Sequence, residues 1–417
     1  MRRIGRMVLA VAGLLAAVVG LAACGGRGGS SSSGNGGASA PGVTDSQITI
    51  GGSYPLSGPV AANGTAALGG ATAYFDAINA QGGVKMGDGK TRKIKFVYYD
   101  DGYDPAKAAQ NYQKLVNQDH VFGLFQTFGT APNLAIQKNA NSAGVPQVFV
   151  HAGDALFSNN QKANPWTIGW QPTYESEGEA YGRYLAGLNK PLTVAVLRQA
   201  DTLGEVYLSG FKQGIAGSKV RVVKVATYTP ADTSVDSQIS QLAGTHADVL
   251  YMAVAVVPLM ISGLQHVKTL GWNPMELLIS LSSSIDQVLK PAKLTSSDKV
   301  YTGAFVKQAD DPQWQSDKDV QQYLSRMKQY SAKANPSITN AEWGYGAAES
   351  LVAALRSMKT VSRKGLMNAI HGLDQQLGIF LPGVTLNASS YTQTPVQGID
   401  VQHFAGGKWQ VVGRPQS

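Results

Sequence analysis

Two pairs of serine and lysine residues are the first candidates for chemistry in this chain. Ser209 stands three residues before Lys212, and Ser296 stands three residues before Lys299, which is the spacing of the serine nucleophile and its lysine in β-lactamase-type enzymes. Neither pair is accompanied by Ser-Asp-Asn or Lys-Thr-Gly, and the chain contains neither Gly-x-Ser-x-Gly nor His-Glu-x-x-His. The sequence therefore predicts a protein that is not an enzyme, and a secreted hydrolase is the less favoured alternative.

A glycine-rich segment and the histidines are the other candidates for cofactor or metal chemistry. The segment Gly87-Asp-Gly-Lys-Thr91 ends like a phosphate-binding loop, but the position five residues before Gly89 is Val84, and a strand follows where a helix is required. The six histidines lack the spacing of metal ligands. We therefore expect no cofactor and no metal.

The charge balance limits the class of partner. The formal net charge is +8, and removal of Arg2, Arg3 and Arg6 with a leader would leave 8 − 3 = +5. Lysine and arginine are spread along the chain and never form the dense patches that a phosphate backbone requires. We therefore expect no nucleic-acid partner.

The N-terminal region has the features of an export signal. Three arginines precede an apolar run from Val8 to Ala23, which is shorter than the ~20 residues of a spanning helix. The only cysteine, Cys24, follows Leu21-Ala-Ala23, as in the lipobox of bacterial lipoproteins. We expect residues 1–23 to be a lipoprotein signal peptide and residues 24–44 to comprise the lipidated Cys24 and a flexible Gly/Ser linker.

From residue 45 onward, runs rich in β-branched and aromatic residues alternate with runs of helical periodicity. The predicted strands cover residues 48–54, 93–99, 121–126, 148–150, 193–198, 220–228, 248–254, 276–280, 300–305, 396–404 and 409–412. The predicted helices cover residues 64–80, 132–140, 175–188, 204–215, 235–242, 259–270, 316–330, 341–358 and 363–371, with one more that begins at Asp104-Pro105. This alternation predicts an α/β fold with parallel sheets, in two domains because the chain is too long for one core. A ligand crevice is then expected at the carboxyl ends of the strands.

Three motifs resemble the type I periplasmic binding proteins, specifically the branched-chain amino acid (Leu/Ile/Val) branch. They are Ile50-Gly-Gly-Ser-Tyr-Pro-Leu-Ser-Gly-Pro-Val-Ala61, Ala77-Ile-Asn-Ala-Gln-Gly-Gly-Val84 and Val97-Tyr-Tyr-Asp-Asp101. Residues 165–172 are similar to the version found in members associated with aromatic or other non-amino-acid solutes. The resemblance implies two Rossmann-like lobes with parallel sheets that are joined by a three-segment hinge.

The resemblance also implies where the lobes lie in the chain. Lobe one would comprise residues 45–171 and 306–395, and lobe two residues 172–305 and 396–417. Closure of the hinge around a ligand is the expected motion. An ABC permease in the membrane would recognise the closed form.

In relatives that bind amino acids, loops after the third and fourth strands of lobe one hold the ligand carboxylate and ammonium. By this resemblance the ligand-binding residues of lobe one include Gln126, Thr127, Phe128, Gly129, His151, Ala152 and Gly153. Free N–H groups before the helix near Pro132, together with the Thr127 hydroxyl, suit a carboxylate. Alternatively, Thr127 and Thr130 only cap that helix.

Two further residues of this lobe leave alternatives open. Asn63 either offers its amide to a polar ligand or forms a turn with Gly64. His151 either points into the cleft and reads the ligand, or is a loop histidine bonded to the backbone.

The second wall of the cleft is predicted from lobe two. Its ligand-binding residues are expected to include Tyr174, Leu203, Val256 and Ser282. Relatives that bind amino acids have an aromatic residue near Leu203 and an acidic one near Ser282, and both are missing here. Because a buried ammonium without a carboxylate is costly, we expect a ligand without a free α-amino group, although Asp154 or Asp201 could compensate.

These residues together predict an extracytoplasmic, lipid-anchored solute-binding protein of an ABC importer, acting as a monomer. Its ligand would be a small organic solute, either amino-acid-like or an aromatic or carboxylic acid, because Tyr54, Phe128, Trp170 and Tyr174 could supply aromatic surface. The alternative from another class is a ligand-sensing receptor that partners a signalling system, since the fold alone does not decide the function.

Overall fold

The computed structural model describes residues 40–158, 162–390 and 394–413. The predicted signal peptide, Cys24 and nearly all of the predicted linker therefore lie outside the described residues. The strands, in chain order, are β1 Gln47–Tyr54, β2 Val84–Lys85, β3 Thr91–Asp100, β4 Leu124–Phe125, β5 Gln147–Val150, β6 Thr167–Gly169, β7 Leu192–Gln199, β8 Val220–Tyr228, β9 Val249–Ala253, β10 Met275–Leu278, β11 Val300–Ala304, β12 Asp374–Gln375, β13 Thr385–Asn387, β14 Val396–Gln397, β15 Asp400–Ala405 and β16 Lys408–Gly413. The α-helices are α1 Ala61–Ala80, α2 Pro105–Asn117, α3 Thr130–Ser142, α4 Tyr174–Gly187, α5 Thr202–Gly214, α6 Asp236–Ala243, α7 Val257–Thr269, α8 Lys318–Tyr330, α9 Thr339–Ser357 and α10 Arg363–His371.

The strands form two large sheets and one small one. The first large sheet has the order β2-β3-β1-β4-β5-β6, and the second has the order β16-β15-β11-β10-β9-β7-β8. Within the two large sheets the pairings are parallel except those of β2 with β3, β11 with β15 and β15 with β16. The small sheet, β12-β13-β14, is antiparallel. The predicted α/β class with parallel sheets is confirmed.

Each large sheet has a point at which consecutive strands depart in opposite directions. In the first sheet β1 lies between β3 and β4, and in the second sheet β7 lies between β8 and β9. Such switch points open a crevice at the carboxyl ends of the strands. The loops after β1, β4, β5, β7, β9 and β10 are therefore the natural candidates to meet a ligand.

Local sequence signals account well for several elements. Asp104 caps α2, because its Oδ1 accepts from the backbone nitrogen of Ala106 at 2.7 Å, and Pro105 begins the helix. Gly406 and Gly407 have φ of 62° and 77° and join β15 to β16 as the predicted hairpin.

Three predicted elements need correction. The strand expected over 121–126 forms only at Leu124–Phe125. The helix expected from residue 64 already begins at Ala61, so Asn63 lies in the first turn of α1 and not in a turn with Gly64. The strand expected over 396–404 consists of two strands, because Gly398 has φ of 94° and breaks it. β14 pairs with β13 in the small sheet, whereas β15 pairs with β11 in the second large sheet.

Two long helices of the chain pack backbone against backbone. A Cβ added to Gly70 of α1 would lie 1.8 Å from the Ala341 oxygen, and one added to Gly344 of α9 would lie 2.0 Å from the Ala67 oxygen. Only glycine permits such an approach. The contact fixes the start of α9, including Asn340 and Trp343, relative to the first sheet.

Candidate functional site

The loop after β4 is held in one conformation by its own backbone and by the side-chain amide of Asn133. Gln126 has φ of 51°, and a Cβ on Gly129 (φ 92°) would lie 2.4 Å from the Tyr103 ring. Asn133 Nδ2 donates to the carbonyls of Thr127 and Gly129, both at 2.7 Å. The loop is therefore rigid before any ligand arrives.

Thr127 is the most informative residue of this loop. It is 1% exposed, and among the described residues its hydroxyl has no hydrogen-bond partner. Helix α3 begins at Thr130 after Gly129, and no side chain caps it. The alternative that Thr127 and Thr130 only cap the helix is therefore wrong, and the Thr127 hydroxyl and the uncapped first turn can both serve a ligand.

His151, at the end of β5, lies in a chain of side-chain contacts. Its Nδ1 is 2.6 Å from Gln126 Oε1, and its Nε2 is 2.8 Å from Asn340 Oδ1. Burial lowers the pKa of His151 to about 4, so the ring is neutral at neutral pH. The His151 ring is bonded to side chains and not to the backbone, so the second alternative is wrong, whereas contact of His151 with a ligand stays a prediction.

The tautomer of this neutral ring follows from its neighbours. Gln126 Nε2 donates to the Phe149 carbonyl at 2.9 Å, so Gln126 Oε1 must accept, and His151 Nδ1 carries the proton. His151 Nε2 is then an acceptor, which requires the amide nitrogen of Asn340 on that side. In this assignment the other amide atom of Asn340, which has no partner in the described ranges, is an oxygen.

Aromatic rings surround this histidine. Phe128 stacks on His151 with centroids 4.5 Å apart, and Trp343 lies 5.7 Å from His151. Phe305, which follows β11, lies 4.9 Å from Trp343. The predicted residues Gln126, Phe128 and His151 are thus brought together, with an aromatic surface continuing toward the second sheet.

The segment after His151 meets the start of α4. A Cβ on Gly153 would lie 2.6 Å from the Tyr174 ring, and the Tyr174 nitrogen donates to the Gly153 carbonyl at 2.7 Å. Tyr174 stacks on Tyr207 with centroids 4.7 Å apart. Ala152, 2% exposed, and Gly153 therefore act as small spacers that let Tyr174 approach.

Asp154 supplies a buried carboxyl beside this contact. Its Oδ1 accepts from the Leu156 nitrogen at 2.9 Å, whereas its Oδ2 has no partner in the part of the chain that the structure describes. Burial raises the pKa of Asp154. The free oxygen is available to a hydrogen-bond donor.

The predicted residues of the second sheet are buried at the ends of its strands. Leu203 (4% exposed) lies in the first turn of α5, and Val256 (3%) immediately precedes α7. Ser282, in a short 3-10 turn after β10, is 1% exposed, and its hydroxyl is without a partner among the described residues. α3 contacts α5, and α9 contacts the turn of Ser282, so loops of both sheets meet.

Asn63 joins the two sides directly. Its Nδ2 donates to the carbonyl of Ala255 at 3.3 Å, which links the first turn of α1 to the segment that follows β9. Val60, one turn earlier, packs in the same apolar cluster as Val254 and Val256. The Asn63 amide thus links α1 to the segment after β9, and its nitrogen already donates a hydrogen bond to Ala255.

Sequence reasoning missed Glu177, a carboxylate that holds the turn after β10. Glu177 Oε1 accepts from the Ser280 nitrogen, and Oε2 accepts from the Ser280 hydroxyl, both at 2.7 Å. The hydroxyls of Tyr181 and Tyr207 donate to the same carboxyl at 2.7 and 3.0 Å. All four donors come from positions that carry no local motif, so only the fold reveals the group.

Sequence reasoning also missed the polar residues between β11 and the start of α9. Gln308, Asn340, Glu342 and Trp343 are all at most 3% exposed, and each has one polar side-chain atom that lacks a partner within the described residues. The signal available in the sequence was the polar and aromatic character of 339–343 at the start of a helix otherwise rich in alanine and glycine.

The described residues lack two further features, a metal-binding cluster and a membrane-spanning helix. No group of three or more His, Cys, Asp and Glu side chains is arranged to hold a metal ion in residues 40–158, 162–390 and 394–413. Over the same ranges no helix combines the length and the apolar character of a membrane span.

Comparison with known proteins relates this site to a family. The family model described as periplasmic binding protein matches residues 47–408. The leucine-specific-binding protein of Salmonella typhimurium is 25% identical over 198 residues, which cover 47% of this chain and 51% of that protein. A leucine-, isoleucine-, valine-, threonine-, and alanine-binding protein of Pseudomonas aeruginosa is 26% identical over 196 residues, or 45% and 48% of the two chains. The chain spans about half the length of these curated relatives.

Solved structures cover nearly all of the fold. The fatty acid ABC transporter substrate-binding protein of Thermomonospora curvata has a TM-score of 0.74 at 21% identity, covering 91% of this chain and 95% of its own. A solute-binding protein of R. palustris in complex with benzoate has a TM-score of 0.72 at 22% identity, covering 88% and 96%. A branched-chain amino acid binding protein of Streptococcus pneumoniae with isoleucine has a TM-score of 0.68 at 19% identity, covering 88% and 100%. With its matched residues, its two parallel sheets and the loops that meet between them, the chain belongs to the periplasmic binding protein family.

Proposed function

We propose that this protein is a solute-binding protein that captures a small organic molecule between two lobes and delivers it to an ABC importer. One observation carries the proposal: segments that follow strands of both sheets carry buried polar atoms that lack partners among the described residues, including the hydroxyls of Thr127 and Ser282. Buried polar groups are normally hydrogen-bonded, so such a set at the carboxyl ends of the strands favours a ligand. The family membership supports the same function, in an extracytoplasmic location.

The lobes that we propose are those implied by the sequence. Lobe one comprises residues 45–171 and 306–395, and lobe two comprises 172–305 and 396–417. The pairing of β15 with β11 supports the placement of the C-terminal hairpin in lobe two. β14 pairs with β13 of lobe one, so the last crossing lies at Gly398–Ile399, three residues beyond the boundary implied by the sequence. Closure between the lobes would bring Asn63 onto Ala255, as seen here.

The ligand that we propose has an acidic end. The Thr127 hydroxyl and the uncapped start of α3 supply donors for it, and Phe128, Trp343 and Tyr174 supply aromatic surface for its body. Relatives with known names are described as binding leucine, fatty acid or benzoate, which are small molecules with a carboxylate.

The test is a binding screen with the exported portion of the chain. We expect at least one of isoleucine, benzoate and octanoate to raise the melting temperature, because a ligand that binds only the folded state stabilises it by RT ln(1 + [L]/Kd). Mass spectrometry of the recovered ligand should find it unchanged. Conversion of the ligand, or no shift with any compound up to millimolar concentration, would contradict the proposal.

We also propose that Cys24 carries the lipid that anchors the protein. The apolar leader and the single cysteine support this. In the native host, a Cys24→Ser variant should appear in the soluble extracytoplasmic fraction, whereas the wild-type protein should remain with membranes until detergent is added. Membrane retention of the variant would show that something other than Cys24 holds it.

A further inference from the structure

An open polar groove of about 660 Å³ lies between the end of α9 and α10. This volume is within the range of sites that accept a small molecule or a head group of that size. Its polar side chains come from Ser357, Lys359, Thr360, Ser362, Lys364 and Asn368. We call this surface the basic groove.

The charge of the basic groove is positive and uncompensated. Lys359 and Lys364 are exposed, and neither forms an ion pair with another described residue. Arg363, between them in sequence, donates to two backbone carbonyls that precede β4, at 2.9 and 3.0 Å, and these are neutral partners. Between Glu349 and Asp374 the chain contains four lysine and arginine residues and no acidic residue.

The carboxylates of the neighbouring turn already have cationic partners. The turn between β2 and β3 lies against the basic groove, because a Cβ added to Gly87 would lie 2.1 Å from the backbone oxygen at the end of α9. Asp88 in that turn pairs with Arg92 at 2.8 Å, and Asp45 pairs with Lys90. An anion that approaches the groove therefore meets positive charge that no nearby carboxylate of this turn cancels.

The basic groove lies at the pole of the first sheet opposite the crevice. α9 begins beside the carboxyl end of β5, where Asn340 contacts His151 at 2.8 Å. Its 19 residues end at Ser357, about 28 Å farther along the helix axis at 1.5 Å per residue. Arg363 accordingly contacts the segment before β4, at the amino ends of the parallel strands.

The described chain begins at this same pole. A Cβ added to Gly42 would lie 2.5 Å from the nitrogen of Phe122, whose carbonyl accepts from Arg363. Cys24, the proposed lipid carrier, precedes Ala40 by 40 − 24 = 16 residues, which reach at most about 58 Å when extended. Because this reach exceeds the length of α9, a lipid on Cys24 would let either pole of the sheet face the membrane. The charge of the pole can therefore select the orientation.

We propose that the basic groove docks on the anionic phospholipid head groups of the membrane that holds the Cys24 lipid, so that the crevice opens away from that membrane. Lysine and arginine side chains close to an anionic lipid surface are each attracted to it. The Thr360 hydroxyl and the Asn368 amide line the same groove and can donate to phosphate oxygens. The proposal is independent of the solute in the crevice and uses the proposed anchor only to choose the membrane.

The strength of this docking suits a protein that is already anchored. The few cations of the groove are far fewer than the phosphate contacts that hold a protein on nucleic acid. An anchor keeps the groove at a high effective concentration near the head groups, so a weak attraction is sufficient there. Without the anchor the attraction is weak enough that the Cys24→Ser variant still leaves native membranes during fractionation.

The first test measures vesicle binding by the exported chain, residues 24–417, with Cys24→Ser, which removes any lipid and leaves the surface unchanged. With excess lipid in about 0.1 M salt, this chain should float with vesicles of phosphatidylglycerol and phosphatidylcholine in equal parts, and not with phosphatidylcholine alone. About 1 M salt shortens the Debye length from about 10 to about 3 Å and should release it. No binding to the anionic vesicles, or binding that salt leaves unchanged, would overturn the proposal.

The variant that tests the groove is the double substitution Lys359→Gln and Lys364→Gln in the same chain. It should lower the partition coefficient on anionic vesicles about 25-fold, or about five-fold for each lost cation, and leave the melting temperature unchanged because both side chains are exposed. The matched control is Lys219→Gln with Lys224→Gln, which removes two exposed charges at β8 of the second sheet. The control should bind within a few-fold of the parent chain. Equal losses in the two variants would show that only net charge matters, and would overturn the role of the groove.

The orientation is tested by a dye on a single introduced cysteine in the Cys24→Ser chain. A quencher on the lipid head groups should quench the dye at Ser357→Cys, in the groove, and not at Gln241→Cys, which is exposed on α6. Equal quenching at both positions would overturn the orientation. Self-association that the double lysine substitution abolishes would assign the groove to a second copy of the chain instead. Because none of these variants alters the crevice, failure of the solute screen is a separate result from failure of the docking.

Discussion

At the scale of single residues, a chain of hydrogen bonds fixes the orientation of Gln126, His151 and Asn340 and leaves other buried polar atoms without partners among the described residues. Gln126 fixes the proton of His151 on Nδ1, and His151 in turn fixes the amide of Asn340. A neutral network of this kind positions groups without adding charge. Under the proposed function, the atoms available to a ligand are the hydroxyl, amide and indole atoms that lack a partner among the described residues, and the Thr127 hydroxyl is the one that precedes α3.

Replacement of Thr127 by alanine tests the carboxylate end of the ligand. Because the Thr127 hydroxyl has no partner among the described residues, Thr127→Ala should change the melting temperature of the free protein little. Affinity for the ligand found in the screen should fall by about 1–3 kcal/mol, the scale of a hydrogen bond to a charged group.

The matched variant is Thr127→Ser, which retains the hydroxyl and should bind within a few-fold of the wild-type protein. Calorimetry measures both. Equal affinity in the alanine variant would remove Thr127 from the site, and equal losses in both variants would indicate a role for the methyl group instead.

At the scale of elements, the sequence predicts those helices and strands whose ends are set by neighbouring residues. The periodicity and the glycine turn predict β8 at 220–228 and the β15–β16 hairpin, and Asp104-Pro105 predicts the start of α2. The fold class follows from the alternation alone. The resemblance of the loops after β4 and β5 to the family identified Gln126, Phe128 and His151, which the structure brings into contact.

The elements that could not be predicted depend on distant partners. Asn340 meets His151 across 189 residues of sequence, and Ser280 meets Glu177 across 103. The close approach of α9 to α1 at Gly70 and Gly344 places Asn340 and Trp343 near His151. The hydrophobic periodicity of α9 does not predict that contact. Sequence reasoning therefore named residues of the loops after β4 and β5 that contact one another, and it missed the residues at the start of α9.

At the scale of the whole molecule, buried acids outnumber buried bases in the described residues. The buried charged side chains are Arg92, Asp101, Asp154, Glu177, Glu276, Asp310, Asp311, Glu342 and Asp400. Burial raises the pKa of most of these carboxyls, for example Glu177, Glu276 and Glu342. Such groups make the stability of the fold fall as the pH rises, because the folded state holds protons that the unfolded state has released.

Glu276, on β10, isolates this effect. Burial is the main cause that raises its pKa from 4.5 to about 8. Between these two pH values the folded state binds one more proton than the unfolded state, so this carboxyl lowers the stability progressively as the pH rises, by up to about 5 kcal/mol at 1.36 kcal/mol per unit. Replacing it with glutamine removes the titration while keeping the shape.

The Glu276→Gln variant should therefore be more stable than the wild-type protein at pH 8 by a few kcal/mol, and the difference should shrink toward pH 4.5. Urea unfolding at pH 5, 6.5 and 8 measures it. Glu205→Gln is the control. The Glu205 side chain is 66% exposed, and its ion pair with Arg198 is long, at 4.0 Å. This variant should therefore change the free energy of unfolding by less than about 0.5 kcal/mol at every pH. Parallel stability curves for Glu276→Gln and the wild-type protein would mean that Glu276 releases its proton in the folded state at its ordinary pKa, against the burial seen on β10.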